Sequence, residues 1–342
     1  MFPLSKLTMT QIKTMKIGFL IFPGFPMACL TSMIEPLRAA NEIAAEQAFS
    51  WTLVSEHGGR VMSSAQVGFE ADSVLTADLV LDVLFVLSSP TARFNNERSG
   101  TGALRSLGRH GVILGGVSGG VFPLVRAGVM DAQPVSVHWC YEAAFKAEFP
   151  DVKAMGDVIV TTANRYTVSG AAAAFDLALR LIQDQLRADV AHEVACWFQH
   201  PLMRGEGVQQ RVPTAQMPDT GAHLPDLVAR CVEIFAAHLE SPASVAEVAE
   251  KTGVSPRQVE RAFKKATGQS PSHYFRAMRM QAARQLVMYS KTRIADIAAA
   301  VGYSSVIPLV THYRAEFGYS PREHRDRINQ FRVQGNVPLP SS

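Results

Sequence analysis

The chain has few cysteines and no long apolar run. Its four cysteines are scattered and form no C-x-x-C pair, which argues against a zinc site and against a disulfide framework. We therefore expect them to be reduced and buried, and we expect neither a metal nor a cofactor. No uninterrupted apolar run approaches the roughly 18 residues of a membrane span, and no basic, apolar and cleavable leader is found at the N-terminus. A cytoplasmic protein without a membrane partner is the expectation.

Negative charge is sparse in the last third of the chain. Residues 223–330 hold 15 Lys and Arg against 10 Asp and Glu, a net charge of +5, whereas residues 1–222 hold 17 against 20, a net charge of −3. The 342 residues exceed the size that a single core usually serves, so two domains are expected. The basic surplus of the second part is what a polyanionic partner requires.

This basic region contains an internal repeat. Its two copies have the apolar pattern at 245–249 with Gly253 and Ser255, and at 294–298 with Gly302 and Ser304. Each copy closes on a similar sequence, at 267–271 and at 317–321. The opening residues recur at a spacing of 49 and the closing ones at a spacing of 50, so both copies have one architecture with one extra residue in the second.

The first copy has the chemistry of a helix-turn-helix. Val245, Val248 and Ala249 fall on one helical face, Gly253 permits a tight turn, and Ser255 can cap the helix that follows. We place the two units at about 244–266 and 293–317, joined by a long helix over 273–290. Short helical hairpins with charged outer faces are common, so one unit alone would be weak evidence. Two units in register, with a helix between them, form a specific arrangement.

These motifs resemble the DNA-binding domain of AraC/XylS-type regulators. The stretches that carry the resemblance are 255–263, 268–271, 297–298, 301–305 and 317–321. The resemblance implies two recognition helices in successive segments of the major groove of double-stranded DNA. The candidate DNA-binding residues are Ser255, Arg257, Gln258, Arg261, Lys264, Lys265, Ser304, Ser305, Thr311, His312 and Arg314.

The second copy departs from the first in charge. Thr311 stands where the first copy has Arg261, Ala315 stands where it has Lys265, and Pro308 lies a few residues inside the recognition helix. We expect Pro308 to remove an early backbone hydrogen bond and to shift or kink the first turn. The first unit is therefore expected to supply more of the binding energy.

The first 200 residues predict an α/β domain. Apolar segments of strand length occur at 16–22, 51–55, 79–87 and 112–116, with helical segments between them such as 33–47, and the last element is an Ala-rich helix at 170–187. Continuous apolar strands are typical of a parallel sheet covered by helices on both faces, as in flavodoxin-like folds. Residues 203–222 are rich in Gly and Pro and predict a linker. The expected organisation is a tail at 1–14, a ligand-sensing domain at 15–202, the linker at 203–222, an all-α DNA-binding domain at 223–330 and a tail at 331–342.

A glycine-rich turn at 115–120 separates a strand from a helix and places Ser118 at its centre. This is the arrangement of a nucleophile elbow, and His138 follows 20 residues later. The alternative, which the weakness of short glycine motifs favours, is a strand-to-helix turn whose open position lines a binding crevice.

The first part also resembles the class I glutamine-amidotransferase-like (ThiJ/PfpI) domain of the GlxA-like subgroup, which is found fused to AraC-type regulators. The resemblance rests on 21–25, 35–41, the elbow, 137–139 and 149–151. Enzymatic relatives carry a cysteine at the elbow, and many carry a helper Glu after the first strand; here those positions are Ser118 and Cys29. No Asp or Glu is evidently placed to orient His138, so we expect no catalysis.

The resemblance implies a receptor for a small nitrogen-containing metabolite such as an amino acid, a betaine or another amine. The candidate pocket residues are Phe25, Met27, Glu35, Ser118, Gly119, His138 and Trp139. Three of them have a plainer interpretation: Met27 as core, Glu35 as a helix-surface or dimer-interface charge, and His138 as a structural histidine.

The favoured interpretation is a ligand-responsive regulator of a catabolic operon. Activation, contact with RNA polymerase and a homodimer follow from the resemblance alone. Two alternatives remain: a hydrolase or amidase that uses Ser118, and an architectural DNA-binding protein with an inert first domain.

Overall fold

A computed structural model describes residues 13–130, 133–162, 164–200, 203–210, 212 and 224–330. Within them the chain divides into two compact units. The first unit runs to His138 and continues over Asp151–Gln210. The second contains Trp139–Pro150 and the described residues from 212 onward. In this part of the chain no helix is both long enough and apolar enough to cross a membrane.

The first unit is built on one seven-stranded sheet. Its strands and those of two small accessory pairs are β1 (Met15–Ile21), β2 (Phe49–Ser55), β3 (Gly59–Met62), β4 (Gly68–Ala71), β5 (Ser73–Val74), β6 (Val83–Ser88), β7 (Ile113–Ser118), β8 (Val135–Ser136), β9 (Ala154–Met155), β10 (Ile159–Thr162) and β11 (Arg165–Val168). Its helices are α1 (Met27–Ala44), α2 (Glu97–Arg109), α3 (Val121–Arg126), α5 (Ala171–Gln185) and α6 (Ala188–Trp197).

The strand order of the sheet is β10-β11-β7-β6-β1-β2-β5. All neighbouring strands are parallel except β10 and β11. The α/β prediction is therefore confirmed, because the apolar runs at the predicted positions form the central strands, which are almost wholly buried. The chain order reverses between β1 and β6, and crevices that bind ligands open at the carboxyl ends of strands at such a point.

The antiparallel edge of the sheet and the small pairs escaped the sequence analysis. β3 and β4 pair through Gly59 and Ala71, and β10 and β11 pair through Thr162 and Arg165. These strands are four residues long and only partly buried, so they lack the continuous apolar run that marks the central strands.

The second unit is helical. Its elements are the short 3₁₀ turn Trp139–Tyr141 and the helices α4 (Glu142–Glu148), α7 (Asp226–Ala237), α8 (Val245–Thr252), α9 (Pro256–Thr267), α10 (Pro271–Tyr289), α11 (Ile294–Ala300), α12 (Val306–Phe317) and α13 (Pro321–Gln330). One cluster of buried residues joins α7, α8 and α9 to the start of α10. A second cluster joins the end of α10 to α11 and α12. The expected long helix between two helix-turn-helix units is thus α10.

Two predicted boundaries differ from the structure. Residues 139–150 were assigned to the first domain, but they group with the second unit, where the Tyr141 ring packs edge-on against Tyr289 of α10 at 4.8 Å between centroids. Residues 203–210 were assigned to the linker, but they pack on the first unit, because Gln209 pairs with Asp157 as an isolated β-bridge. The remainder of the predicted linker lies outside the described residues, apart from residue 212, as do the two predicted tails apart from residues 13 and 14, which belong to the first unit.

The four cysteines form no disulfide with one another, and they are not all buried. Cys29 and Cys231 are buried, Cys140 is half-buried and Cys196 is exposed. The prediction of burial was wrong for Cys196 because it lies on the outer face of α6, one turn from His192.

Candidate functional sites

The carboxyl edge of the sheet contains the predicted elbow. Ser118 is the last residue of β7 and has a φ of 56°, a left-handed conformation that is uncommon for a residue with a side chain. Gly119 and Gly120 follow, and a Cβ on Gly119 would lie 2.3 Å from the Ser88 carbonyl oxygen. Glycine is therefore required here, because the turn passes directly against the end of β6. This geometry matches the sequence prediction of an elbow.

Three serines close three strands at this edge. Ser55 ends β2, Ser88 ends β6 and Ser118 ends β7, and all three are buried. Ser88 and Ser118 are also register partners. The hydroxyls of Ser55 and Ser88 are buried and have no hydrogen-bond partner among the described residues, which is costly for a polar group unless a ligand or water supplies the bond. The sequence analysis missed Ser55 and Ser88, although a polar residue directly after a buried apolar run is the signal that marks them.

The other predicted pocket residues lie in different surroundings. Phe25 is fully buried and packs edge-on against Phe69. Met27 is half-buried at the start of α1, and Glu35 is an exposed residue of the same helix that forms an ion pair of 3.0 Å with Arg38. The surroundings of Glu35 are therefore those of a charged residue on a helix surface.

His138 and Trp139 belong to different units, although they are adjacent in sequence. His138 lies in the first unit against Gly170, and burial lowers the pKa of its imidazole. Trp139 begins the 3₁₀ turn of the second unit. Cys29, at the position of the helper Glu in enzymatic relatives, is buried in α1, where desolvation raises the pKa of its thiol to about 12. Such a thiol stays protonated and cannot replace a helper carboxylate.

The first helix-turn-helix is fixed by local capping. Ser244 and Glu247 form a capping box at the start of α8, and Ser255 and Gln258 form another at the start of α9. Between the helices, Gly253 has a φ of 72°, which a glycine adopts at no steric cost. Val259 and Phe263 lie on the inner face of α9 and are buried in the core. The opposite face of α9 is therefore left to solvent.

That outer face of α9 carries unpaired positive charge. Arg257, Arg261 and Lys265 are exposed, and no carboxylate pairs with them in the described part of the chain. Lys264 is also exposed, but its Nζ donates to the Gly268 carbonyl oxygen at 2.9 Å and so caps the helix end. Such a row of free cations on a helix is suited to DNA phosphates and to guanine edges.

Three comparisons with known proteins identify the chain. Residues 248–327 match a family model described as a helix-turn-helix domain. The transcriptional regulator GbdR of Pseudomonas aeruginosa is 32% identical over 309 residues, which cover 90% of this chain and 83% of GbdR. The regulator GlxA of Rhizobium meliloti is 30% identical over 314 residues, covering 91% and 96% of the two chains. A crystal structure of an AraC family regulator from Pseudomonas putida is 25% identical, covers 54% of this chain and 99% of that one, and has a TM-score of 0.50. The chain belongs to the AraC family of helix-turn-helix transcriptional regulators.

The second helix-turn-helix of this AraC family member lacks several devices of the first. α11 begins after Arg293 and α12 after Ser305, and neither residue provides a side-chain cap. Pro308 is the third residue of α12, where a backbone N–H has no acceptor within the helix in any case. α12 is continuous from Val306 to Phe317, so Pro308 does not interrupt the helix.

The cationic candidates of α12 are engaged within their own unit. Arg314 forms an ion pair with Glu323 of α13 at 3.0 Å. The Nδ1 atom of His312 lies 2.8 Å from the Tyr303 hydroxyl, and burial together with the nearby Arg276 lowers the pKa of the His312 imidazole. Both effects favour the uncharged form of His312. The remaining candidates Ser304, Ser305 and Thr311 are exposed.

No group of three or more His, Cys, Asp or Glu side chains that could hold a metal ion occurs in the described residues.

Proposed function

We propose that this AraC family protein is a sequence-specific transcriptional activator of a catabolic operon, controlled by a small nitrogen-containing metabolite that binds at the carboxyl edge of the sheet. The free cationic face of α9 is the observation that carries the DNA-binding part of the proposal. The effector is an amino acid, a betaine or another amine. The protein acts in the cytoplasm as a homodimer and contacts RNA polymerase.

Two observations support an effector site at the elbow. The chain order reverses beside β6, and the Ser88 hydroxyl at the end of that strand is buried without a partner. A hydroxyl of this kind can accept from an ammonium group or donate to a carboxylate. The resemblance to ligand-sensing amidotransferase-like domains supports the same place, and it is the source of the nitrogen-containing class.

The elbow is better suited to binding than to turnover. The Ser118 hydroxyl makes no hydrogen bond with any residue of the described chain. A serine needs an adjacent base to become a nucleophile at neutral pH. The left-handed conformation of Ser118 is nevertheless that of a nucleophile elbow, and it favours a hydrolase or amidase as the second candidate. Turnover of an amide or ester that disappears in Ser118→Ala would establish that candidate instead.

DNA binding is tested with the promoter region beside the gene, in a gel shift at several salt concentrations. Specific binding that survives an excess of unrelated duplex is expected. The double variant Arg261→Ala, Lys264→Ala should weaken it more than His312→Ala, Arg314→Ala, because Arg261 has no carboxylate partner among the described residues, whereas His312 and Arg314 are both engaged by other side chains. Equally tight binding to every DNA sequence would instead indicate an architectural DNA-binding protein.

The effector is tested by a thermal-shift screen of amino acids, betaines and polyamines against the full chain. A true ligand at one hundred times its dissociation constant stabilises the native state by about 2.7 kcal/mol. Ser88→Ala is the matched variant, because it removes a hydroxyl that makes no hydrogen bond with the described residues, and it should leave the fold intact. If the ligand no longer raises the melting temperature of Ser88→Ala, the proposed site is supported. An unchanged thermal shift in this variant would mean that the ligand binds elsewhere.

Control by the effector requires that it changes DNA binding or transcription. We expect saturating ligand to alter the footprint of the dimer and to raise transcription by RNA polymerase in a purified system. An unaltered footprint and an unaltered transcript level would contradict ligand control, and a lower level would make the protein a repressor. Sedimentation of the free chain at a monomer mass would contradict the homodimer.

A further inference from the structure

The two recognition helices can be aligned residue by residue. Both contain 12 residues, α9 follows Ser255 and α12 follows Ser305, and both end at a glycine with a φ between 74° and 79°. Each position in α9 therefore corresponds to the position 50 residues later in α12. The alignment rests on helix boundaries in the structure and not only on the sequence repeat.

Three equivalent positions differ in one consistent way. In α9 the second, sixth and tenth residues are Arg257, Arg261 and Lys265. In α12 the same positions are Ile307, Thr311 and Ala315. Residues four apart lie on one helix face, so each set forms a stripe along the outside of its helix. The stripe of α9 carries three positive charges, whereas every side chain in the stripe of α12 carries a methyl group and none is charged.

The α12 stripe is open to solvent. Ile307 is 78% exposed in the first helical turn, and Thr311 and Ala315 are also exposed. The Thr311 hydroxyl donates to the Ile307 carbonyl oxygen at 3.1 Å, so its hydrogen is used within the helix and its methyl group remains available. An isoleucine this exposed contributes little to the free energy of folding, because little of its apolar surface is removed from water.

The two basic residues beside the stripe, Arg314 and His312, are already engaged within the unit. Arg314 is held by Glu323, and His312 is bonded to Tyr303. α12 therefore has few means of reading guanine by bidentate donation, which is the commonest specific contact of arginine in the major groove. The exposed face formed by Ile307, Thr311 and Ala315 is apolar and small.

We propose that α12 reads thymine through the C5-methyl group, with Ile307, Thr311 and Ala315 as the contacting residues, while α9 reads through charge. The inference rests on the proposed DNA-binding function. In the major groove the thymine methyl is the one apolar group that base pairs present, and small apolar side chains are its usual partners. The operator then has two unlike halves: a half contacted by α9 in which phosphates and guanines matter, and a half contacted by α12 that depends on thymines.

The experiment begins with duplexes selected from a random pool by the full-length protein. In the selected duplex each thymine is replaced in turn by deoxyuridine, which removes the C5-methyl group and leaves base pairing intact. We expect the wild-type dissociation constant to rise about fourfold at each contacted thymine, the factor for one buried methyl-sized group. The affected thymines should cluster in one half of the site.

Two variants assign these thymines to α12. Thr311→Ser removes one methyl and keeps the hydroxyl that bonds to Ile307, and Ile307→Ala shortens a side chain that is mostly exposed, so both should fold. Each variant should lose the response to deoxyuridine at the thymine that the altered side chain contacts. Arg257→Gln, at the position of α9 that matches Ile307, is the control: it should weaken binding and reduce its salt dependence, and leave the response to deoxyuridine unchanged.

The outcomes separate the two proposals. If no specific duplex is recovered from the pool, the DNA-binding function falls, and this inference falls with it. Two outcomes would overturn thymine readout while leaving the DNA-binding function supported. In one, the protein binds a specific duplex but deoxyuridine does not change its affinity. In the other, deoxyuridine weakens binding equally in the wild type and in both α12 variants.

Discussion

Asp176 on α5 anchors the segment that follows α6, and its removal should unfold the first unit more easily. Its side chain is fully buried, and its two carboxylate oxygens accept from His200 Nε2 at 2.7 Å and from Arg204 Nε at 2.8 Å. The Arg204 backbone N–H is a third donor at 3.2 Å. In Asp176→Asn the carboxylate charge is lost, and an amide NH₂ replaces one acceptor in front of the donors.

The magnitude follows from what remains buried. Breaking one side of a buried ion pair costs about 3–5 kcal/mol, chiefly because the partner charge is left without compensation. Arg204 is 30% exposed and can recover some hydration, so we expect the lower end, about 3 kcal/mol. This corresponds to roughly a hundredfold change in the unfolding equilibrium.

Urea unfolding of the full chain measures this effect. Trp51 and Trp197 lie in the first unit, so a Trp139→Phe background confines tryptophan fluorescence to that unit. The matched control is Arg180→Gln on the same helix, whose partner Glu206 lies at 2.9 Å with both side chains about half exposed. That pair should contribute less than about 1 kcal/mol. If Asp176→Asn lowers the free energy of unfolding no more than Arg180→Gln, at an unchanged dependence on urea, Asp176 does not anchor this segment.

Three further outcomes can be measured. Glu323→Gln should free Arg314 for phosphate and make the logarithm of DNA affinity steeper in salt by about one unit; an equal slope would mean that Arg314 stays out of reach. Arg325→Met should destabilise the second unit by about 3 kcal/mol in thermal unfolding, because this buried guanidinium donates to carbonyl oxygens at the end of α10, and a loss below 1 kcal/mol would contradict that role. Ser118→Gly should raise the free energy of unfolding by up to about 1 kcal/mol, since glycine adopts a φ of 56° without strain, and any decrease would show that the hydroxyl stabilises the fold.

Local sequence signals predicted the elements that depend on near neighbours. The capping residue Ser255, the turn glycine Gly253 and the apolar run of β6 each act within a few residues. The helix-turn-helix units, the joining helix and the central strands could therefore be placed from the sequence. The unequal charge of the two recognition helices was visible in the same way.

The tertiary structure decided which of those residues are still available. Arg314 and His312 look as accessible as Arg261 in the sequence, but Glu323 and Tyr303 engage them. No local pattern reports these contacts, because each partner lies on another element and is brought close only by packing. For the same reason the sequence did not show that residues 203–210 pack on the first unit or that residues 139–150 group with the second.

The sequence by itself thus determined the family, the two-part organisation and the positions of both recognition helices, since these depend on periodicity and caps that repeat along the chain. Which side chains remain available for a partner depends on tertiary packing. Among the described residues, Arg257, Arg261 and Lys265 of α9 have no carboxylate partner, Arg314 and His312 of α12 are engaged, and the buried Ser88 hydroxyl beside the elbow makes no hydrogen bond. Burial and pairing depend on residues distant in sequence, and they are what converts a motif into a binding surface.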